Sequence, residues 1–406
     1  MLTRRLALLG TTASLAALPA LAQPRRAPAA PRAGAHGRGK DPVPTGSPAD
    51  TPLGPVDTVA KWAFAVDFVT GATLLDKNAD EEMPPSSMTK LMTIYIVYER
   101  LKSGRLKLDD ELPVSERAWR MGGSKMFVQV GTQVKVEDLI RGVIVQSGND
   151  ACLVLAEAIA GSEEQFVELM NQTAKQLGLT HSFFKNCTGW PDPEQHMSCR
   201  DIATLARRII MDFPEYYHYD SEKTFKYNGI EQGNRNPMVQ KATADGLKTG
   251  HTEAGGYGLV VSSMRNGRRI ILVLNGMTSM RERAEESERL MDWCFANFED
   301  VTLFAAGDVV ENVKVWLGTQ PTVPLVGGRD LVVTMPRNWR KNASIKVTYD
   351  SPIRAPVAKG DALGKLTVSG QGVPSMDVPL LAGADVPKLG LPGRAMAVLS
   401  HYVTGG

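Results

Sequence analysis

Pro84-Pro85-Ser86-Ser87-Met88-Thr89-Lys90, running straight into the apolar stretch Leu91 to Leu101, decides how this chain reads. Two prolines preset the backbone for a helix start. The run behind them is apolar nearly all round, so its helix belongs at the centre of a core. Ser87 and Lys90 stand three residues apart at that start and project from one helical face. A lysine held beside a serine and partly desolvated is neutral enough to take the hydroxyl proton. The position also sets the Ser87 N–H near the positive end of a helix, where a developing oxyanion is stabilised. Alone, the spacing says little: composition gives about one Ser-x-x-Lys in a chain of this length, and a helix cap with a surface lysine explains it as well.

Two more motifs follow in order. Ser147-Gly148-Asn149 sits where an apolar strand-like run, Gly142–Gln146, meets an apolar helix, Asn149 to Ala160. A serine there can relay a proton, and the asparagine amide can bind a substrate carbonyl or the lysine. Taken singly it is a helix cap. Lys248-Thr249-Gly250 precedes His251-Thr252 and a strand. An edge strand carrying Lys and Thr pairs with an extended peptide and holds its terminal carboxylate. Gly250 lets a substrate approach the backbone closely. This motif arises by chance in about one chain in ten, so the ordered set of three is far more telling than any member.

Outward from these motifs the pattern is α+β. Trp62–Asp67 is a strand, with a turn at Thr70-Gly71 and a return strand Ala72–Leu75. Gly161 closes the Asn149 helix, Ser162-Glu163-Glu164-Gln165 opens the next, which ends near Gly178, and Ser198 caps a helix through Met211. Tyr257–Met264 and Arg268–Leu274 flank Asn266-Gly267, the strongest short hairpin signal, and Arg283 to Phe298 closes the unit as a helix. Strands at both ends with helices between predict an antiparallel sheet with helices packed on it, over residues 56–300. Residues 301–390 hold short alternating runs (Val313–Leu317, Leu331–Met335, Ile345–Thr348, Lys365–Val368 and Met376–Leu380) between Gly- and Pro-bearing turns, and predict a small all-β sandwich.

The ends read differently. Residues 1–22 form a signal peptide: Arg4 and Arg5, an apolar Leu6 to Leu18, then Ala20-Leu21-Ala22 before Gln23. Thr3-Arg4-Arg5-Leu6 resembles a twin-arginine signal faintly, and the general secretory route is favoured. Residues 23–55, rich in Pro, Ala, Gly and Arg, are expected to be a disordered linker. In the tail, 391–406, Met396, Leu399, Tyr402 and Val403 recur at helical spacing. A membrane-surface helix and a tail packed on the β domain are both open.

The first 40 of the 406 residues hold seven basic side chains and no acid, so the formal +2 becomes about −4 over residues 42–406. The body is therefore not a basic nucleic-acid binder. Four cysteines are too few for a disulfide scaffold. Cys152 and Cys294 read as buried hydrophobes, whereas Cys187 and Cys199 flank a loop and a bond between them is open. No metal-binding pattern occurs, and no cofactor is expected.

Pro85 to Thr93, Leu139 to Gly142 with Gln146 to Cys152, and Gly246 to Thr252 resemble the active-site segments of low-molecular-weight penicillin-binding proteins, the serine-type D-alanyl-D-alanine carboxypeptidases. Phe166 to Asn171 and Gly189 to Asp201 follow the same pattern. The resemblance covers about 56–390. It implies a penicillin-binding/β-lactamase-like transpeptidase domain followed by the β-sandwich, hydrolysis of the last D-Ala–D-Ala bond of peptidoglycan pentapeptides, and covalent inhibition by β-lactams. It implies Ser87 as nucleophile, Lys90 as general base and Ser147 as proton relay. Asn149 would contact the substrate amide, and Lys248 and Thr249 the terminal carboxylate. The N–H groups of Ser87 and His251 would form the oxyanion hole. Arg200 and Arg283 match basic positions near the family's cleft, and surface ion pairing is the bland alternative for both. With the signal peptide, the resemblance implies a periplasmic protein, with peripheral contact to the inner membrane left open. Class A β-lactamases need a further glutamate. Glu168-Leu169-Met170-Asn171 lies inside a helical period and lacks that spacing. A wall-binding or β-lactam-sensing module with slow deacylation stays open.

Overall fold

A computed structural model describes residues 47–341, 343–370 and 373–404. The signal peptide and most of the linker lie outside the described residues. The fold begins earlier than residue 56, however. Ala49 is fully buried and exchanges backbone hydrogen bonds with Val56, at 2.8 and 2.9 Å, while Asp50 pairs with Asp76. A Pro- and Gly-rich composition hides this short bridge.

The first unit is built on a five-stranded antiparallel sheet in the order Thr73–Lys77, Trp62–Asp67, Arg268–Met277, Gly256–Arg265, Gly246–Thr252. Asn266 and Gly267 both hold positive φ, 51° and 80°, as a two-residue hairpin turn requires. Alternation along the strands splits the core. Phe64, Val66, Val260, Ile271 and Val273 join the helical layer. Ala63, Ala65, Leu259, Val261 and Leu272 face the other way, onto Leu290, Met291 and Cys294 of helix Met280–Asn297.

Helix Lys90–Lys102 runs through the middle of the helical layer, and Leu91, Met92, Ile94, Ile96, Val97, Tyr98 and Leu101 are all buried. Helices Val136–Ile144, Asn149–Ala160, Glu163–Leu177 and Cys199–Asp212 surround it. Ser162 Oγ accepts from Gln165 N at 3.2 Å and Ser198 Oγ from Asp201 N at 3.1 Å, the capping expected of both. Gly142–Gln146 is not strand-like: its first residues end helix Val136–Ile144. Val136, Leu139, Ile140 and Val143 recur at helical spacing, which a window opening at Gly142 misses.

The second unit has a six-stranded sheet and a two-stranded ribbon, sharing one core that includes Val313, Val323, Leu325, Leu331 and Met335. All five expected strands occur. Phe298–Phe304, Thr322–Gly327 and the two-residue Ile353–Arg354 are additional: the first follows the closing helix without a break, and Pro324 disguises the second. The Arg268 Nε donates to Asp67 and Asp300, at 3.0 Å each, and Thr70 and Thr334 hydroxyls meet at 2.6 Å, locking the two units together.

The tail forms helix Leu391–Thr404, with Leu391, Met396, Leu399 and Tyr402 exposed rather than packed on the β domain. No helix among the described residues is long and apolar enough to cross a membrane.

Ile96→Ala should remove about 3 kcal/mol from the first unit, because a fully buried side chain at its centre is cut back to a cavity. Urea unfolding followed by tryptophan fluorescence checks this; an unchanged midpoint would mean the helix is not central to the core.

Candidate active site

Ser86–Thr89 is a single 3-10 turn that feeds the central helix at Lys90. In that geometry residues three apart eclipse. Lys90 Nζ accordingly lies 3.0 Å from Ser87 Oγ. Lys90 is fully buried, and its ammonium also donates to the Thr188 carbonyl. Burial pushes its pKa below the ordinary 10.5 and outweighs the opposing pull of Cys152 and Cys187, while the Arg235 charge adds to the lowering. A lysine so placed can act as a base on the serine hydroxyl.

Ser147 sits at φ +60° just after a helix end, an uncommon backbone for serine. Its hydroxyl is buried and has no hydrogen-bond partner. Asn149 opens its helix, and its amide donates to Gly122 O at 2.9 Å rather than to Lys90. The adjoining Asp150 accepts from the N–H groups of Met126, Phe127 and Val128, which fixes the loop facing this motif.

Strand Gly246–Thr252 is the edge of the sheet, so alternate backbone groups stay open along it. A Cβ at Gly250 would lie 3.0 Å from Ser86 Cβ and 3.4 Å from Ser87 N, so only a small residue seats this strand against the nucleophile turn. Lys248 and Thr249 are buried, and Lys248 Nζ donates to Thr249 O at 3.1 Å. Burial, then the charges of Lys90, Arg235 and Arg283, hold the Lys248 pKa well below its usual value. His251 is exposed at the strand's end and stacks on Tyr257, ring centres 3.9 Å apart.

Arg283 is buried, its Nη2 donating to Arg235 O at 3.4 Å while its Nε has no partner. Arg235 was not anticipated, because it lies in a polar loop without a period. Much of its side chain is open, yet burial of the guanidinium lowers its pKa, and Nη1 donates to Ser124 Oγ at 2.6 Å. Arg200 does not belong to this group. It donates to Asp76 at 2.6 Å and to Asp80 at 2.7 Å and lies over the Phe64 ring, a surface ion pair that anchors helix Cys199–Asp212. Cys187 and Cys199 are separate buried thiols; Cys187 Sγ donates to Glu163 at 3.3 Å.

Lys248, Arg235 and Arg283 thus gather beside Ser87 and Lys90, with a strand edge ready for an extended peptide. Buried cations with unpartnered donors suit an arriving carboxylate. Among the described residues no cluster that could hold a metal occurs.

This geometry sets a buried lysine amine within hydrogen-bond reach of a serine hydroxyl beside an open strand edge. The chain belongs to the D-alanyl-D-alanine carboxypeptidase family, which it matches over residues 49–278, and residues 298–388 match the C-terminal domain of penicillin-binding protein 5. It is 38% identical to D-alanyl-D-alanine carboxypeptidase DacC of Escherichia coli over 87% of this chain and 90% of that protein. Penicillin-binding protein 5 from Haemophilus influenzae superposes with a TM-score of 0.74 at 38% identity, over 82% of this chain and 99% of the other. Penicillin-binding protein D2 from Listeria monocytogenes, solved in its ampicillin-bound form, gives a TM-score of 0.55 at 27% identity over 59% and 98%. The protein is a serine carboxypeptidase of the penicillin-binding type.

The lowered Lys90 pKa places the acid limb of kcat/KM below the ordinary lysine range, because the base must be neutral to act. Arg235→Ala removes a positive neighbour, so Lys90 keeps its proton to higher pH and the limb moves upward. A pH profile of D-Ala release reads the shift; a limb that stays put or moves down would exclude this coupling.

Proposed function

We propose that this is an exported enzyme that removes the terminal D-alanine from peptidoglycan pentapeptide stems through an acyl-enzyme on Ser87. The observation that carries this reading is the 3.0 Å contact between the buried Lys90 amine and the Ser87 hydroxyl, beside an edge strand lined with cations. The terminal carboxylate binds at Lys248 and Thr249, with Arg235 and Arg283 adding positive potential. Ser87 Oγ attacks the carbonyl of the penultimate D-Ala as its proton passes to Lys90. The N–H groups of Ser87 and His251 hold the oxyanion. The proton returns, by way of Ser147, to the departing nitrogen; D-Ala leaves, and water then releases the shortened peptide. Asn149 orients the amide of the acyl part.

β-Lactams acylate the same serine in this reading, which the ampicillin-bound Listeria relative supports. The signal sequence at residues 1–22 supports export to the periplasm. The exposed apolar side chains of helix Leu391–Thr404 support peripheral contact with the outer face of the inner membrane.

Ser87→Ala should abolish both D-Ala release from Lys-D-Ala-D-Ala and covalent labelling by a fluorescent penicillin. Release that persists in the variant would exclude the Ser87 acyl-enzyme, and a wild type that labels without releasing D-Ala would point to a β-lactam sensor. Deleting residues 391–406 should abolish sedimentation with phosphatidylglycerol vesicles while D-Ala release from soluble peptide continues; undiminished sedimentation would rule out the tail as anchor.

A further inference from the structure

Under the edge strand lies a buried carboxyl group that takes no part in the reaction proposed for Ser87. Strand Gly246–Thr252 pairs Gly246 with Ser262 and Lys248 with Val260, so Gly246 and Lys248 share the face turned to the helical layer, where Val260 packs. The 3-10 turn Tyr217–Ser221 lies against that face. A Cβ at Gly246 would stand 2.6 Å from Tyr217 Oη and 3.3 Å from Asp220 Cβ. Glycine thus lets the turn press on the strand, and Asp220 enters the layer two strand positions from Lys248. Asp220 is 2% exposed, and its Oδ2 is buried without a hydrogen-bond partner. A position chosen for packing alone would carry a hydrocarbon there.

The titratable neighbours of Asp220 come from every element around it. Asp245, just ahead of the strand, bears like charge but is committed elsewhere: Tyr217 Oη donates to it at 2.9 Å and Arg269 at 2.7 Å. Tyr98 of the central helix and Tyr217 stay neutral phenols, because burial pushes both pKa values up. On the same turn and just beyond it, Tyr219 donates to Glu137 at 3.0 Å and Glu222 pairs with Arg141 at 2.9 Å. Lys248 is the cation that acts on Asp220. Lys248 itself faces the positive charges of Lys90, Arg235 and Arg283, with the Cys152 thiol opposing them. Burial, then the Asp245 charge, holds the Asp220 carboxyl well above the usual carboxylate range, while Lys248 is displaced the other way. The two titrations therefore approach one another. As pH rises Asp220 ionises, and its charge then stabilises the neighbouring ammonium, which keeps its proton to higher pH.

We infer that Asp220 is a positioning residue for the carboxylate site: it is the buried counter-charge that keeps Lys248 an ammonium on the alkaline side, in a pocket otherwise crowded with cations. The inference rests on the reading of Lys248 as the anchor of the terminal carboxylate. Asp220 acts through Lys248 and takes no part in bond breaking.

The test is the pH profile of D-Ala release from Nα,Nε-diacetyl-Lys-D-Ala-D-Ala by the wild type and by Asp220→Asn, which keeps the shape and loses the charge. The alkaline limb of kcat/KM should fall by about one pH unit in the variant, a loss of about tenfold above the limb, carried by KM. The kcat at saturating peptide and the acid limb, set by Lys90, should stay as they are. Asp220→Ser, smaller and equally uncharged, should show the same shift and serves where the asparagine variant folds poorly. Active enzyme is counted in each case by fluorescent-penicillin labelling, so that a merely structural role shows as fewer active molecules with the limb unmoved, and that result would overturn the inference. A limb that moves up, or a loss carried by kcat, would overturn it too, and in each of these cases the carboxypeptidase reading stands. A folded wild type that releases no D-Ala would overturn that reading and this inference with it.

Discussion

Everything in the catalytic unit turns on keeping one lysine dry. An amine in water holds its proton and is useless as a base; burial in the surrounding core disfavours the charged form of Lys90 and lowers its pKa. That demands an apolar helix behind the lysine, helices on all its flanks and a sheet beneath them. It also demands that the amine keep partners, since an unpaired buried polar group costs about 1–3 kcal/mol. Ser87 Oγ and Thr188 O meet that need. Thr188 is in turn positioned by Asn186, whose Oδ1 accepts from Thr188, Gly189 and Trp190. One asparagine therefore sets both the lysine's carbonyl partner and the backbone of Trp190.

The resting site is left deliberately unrelaxed. Ser86 and Ser147 both hold positive φ, 51° and 60°, which non-glycine residues rarely do. The Ser147 hydroxyl and the Arg283 Nε are buried without partners, and Lys248 is crowded by like charges. Each feature opposes stability alone and favours a bound anion with a reacting carbonyl. The stable core around helix Lys90–Lys102 and the locked domain boundary at Arg268 carry that strain.

The central helix, its flanking caps and the hairpin were legible because each is written in local chemistry: an all-round apolar run, Ser162 and Ser198 before polar first turns, Asn266-Gly267 between strands. Spacing puts Ser87 and Lys90 on one helical face, and the three motifs were legible because they occur together and in order. What the sequence withheld was whatever depends on the chain returning from a distance. Arg235 becomes part of the site only when its loop folds over Ser124, and Arg200 leaves it because Asp76 and Asp80 claim it. Asn186, Thr188 and Gly189 look like an ordinary polar turn until Gly189 is found against Ser86, where any Cβ would lie 1.9 Å from the carbonyl oxygen. Ala49 and strand Thr322–Gly327 were hidden by prolines nearby, a local signal that tertiary pairing overrides.

The unpaired edge of strand Gly246–Thr252 carries a further consequence. An open strand edge invites other chains to extend the sheet, and soluble proteins normally blunt such edges with charge, proline or a bulge. Here the nucleophile turn stands directly alongside the strand, with Gly250 abutting Ser86, and the Trp190 loop packs on the other side of that turn. The contacts that seat this strand against its neighbours thus also crowd the edge along which another chain would have to add.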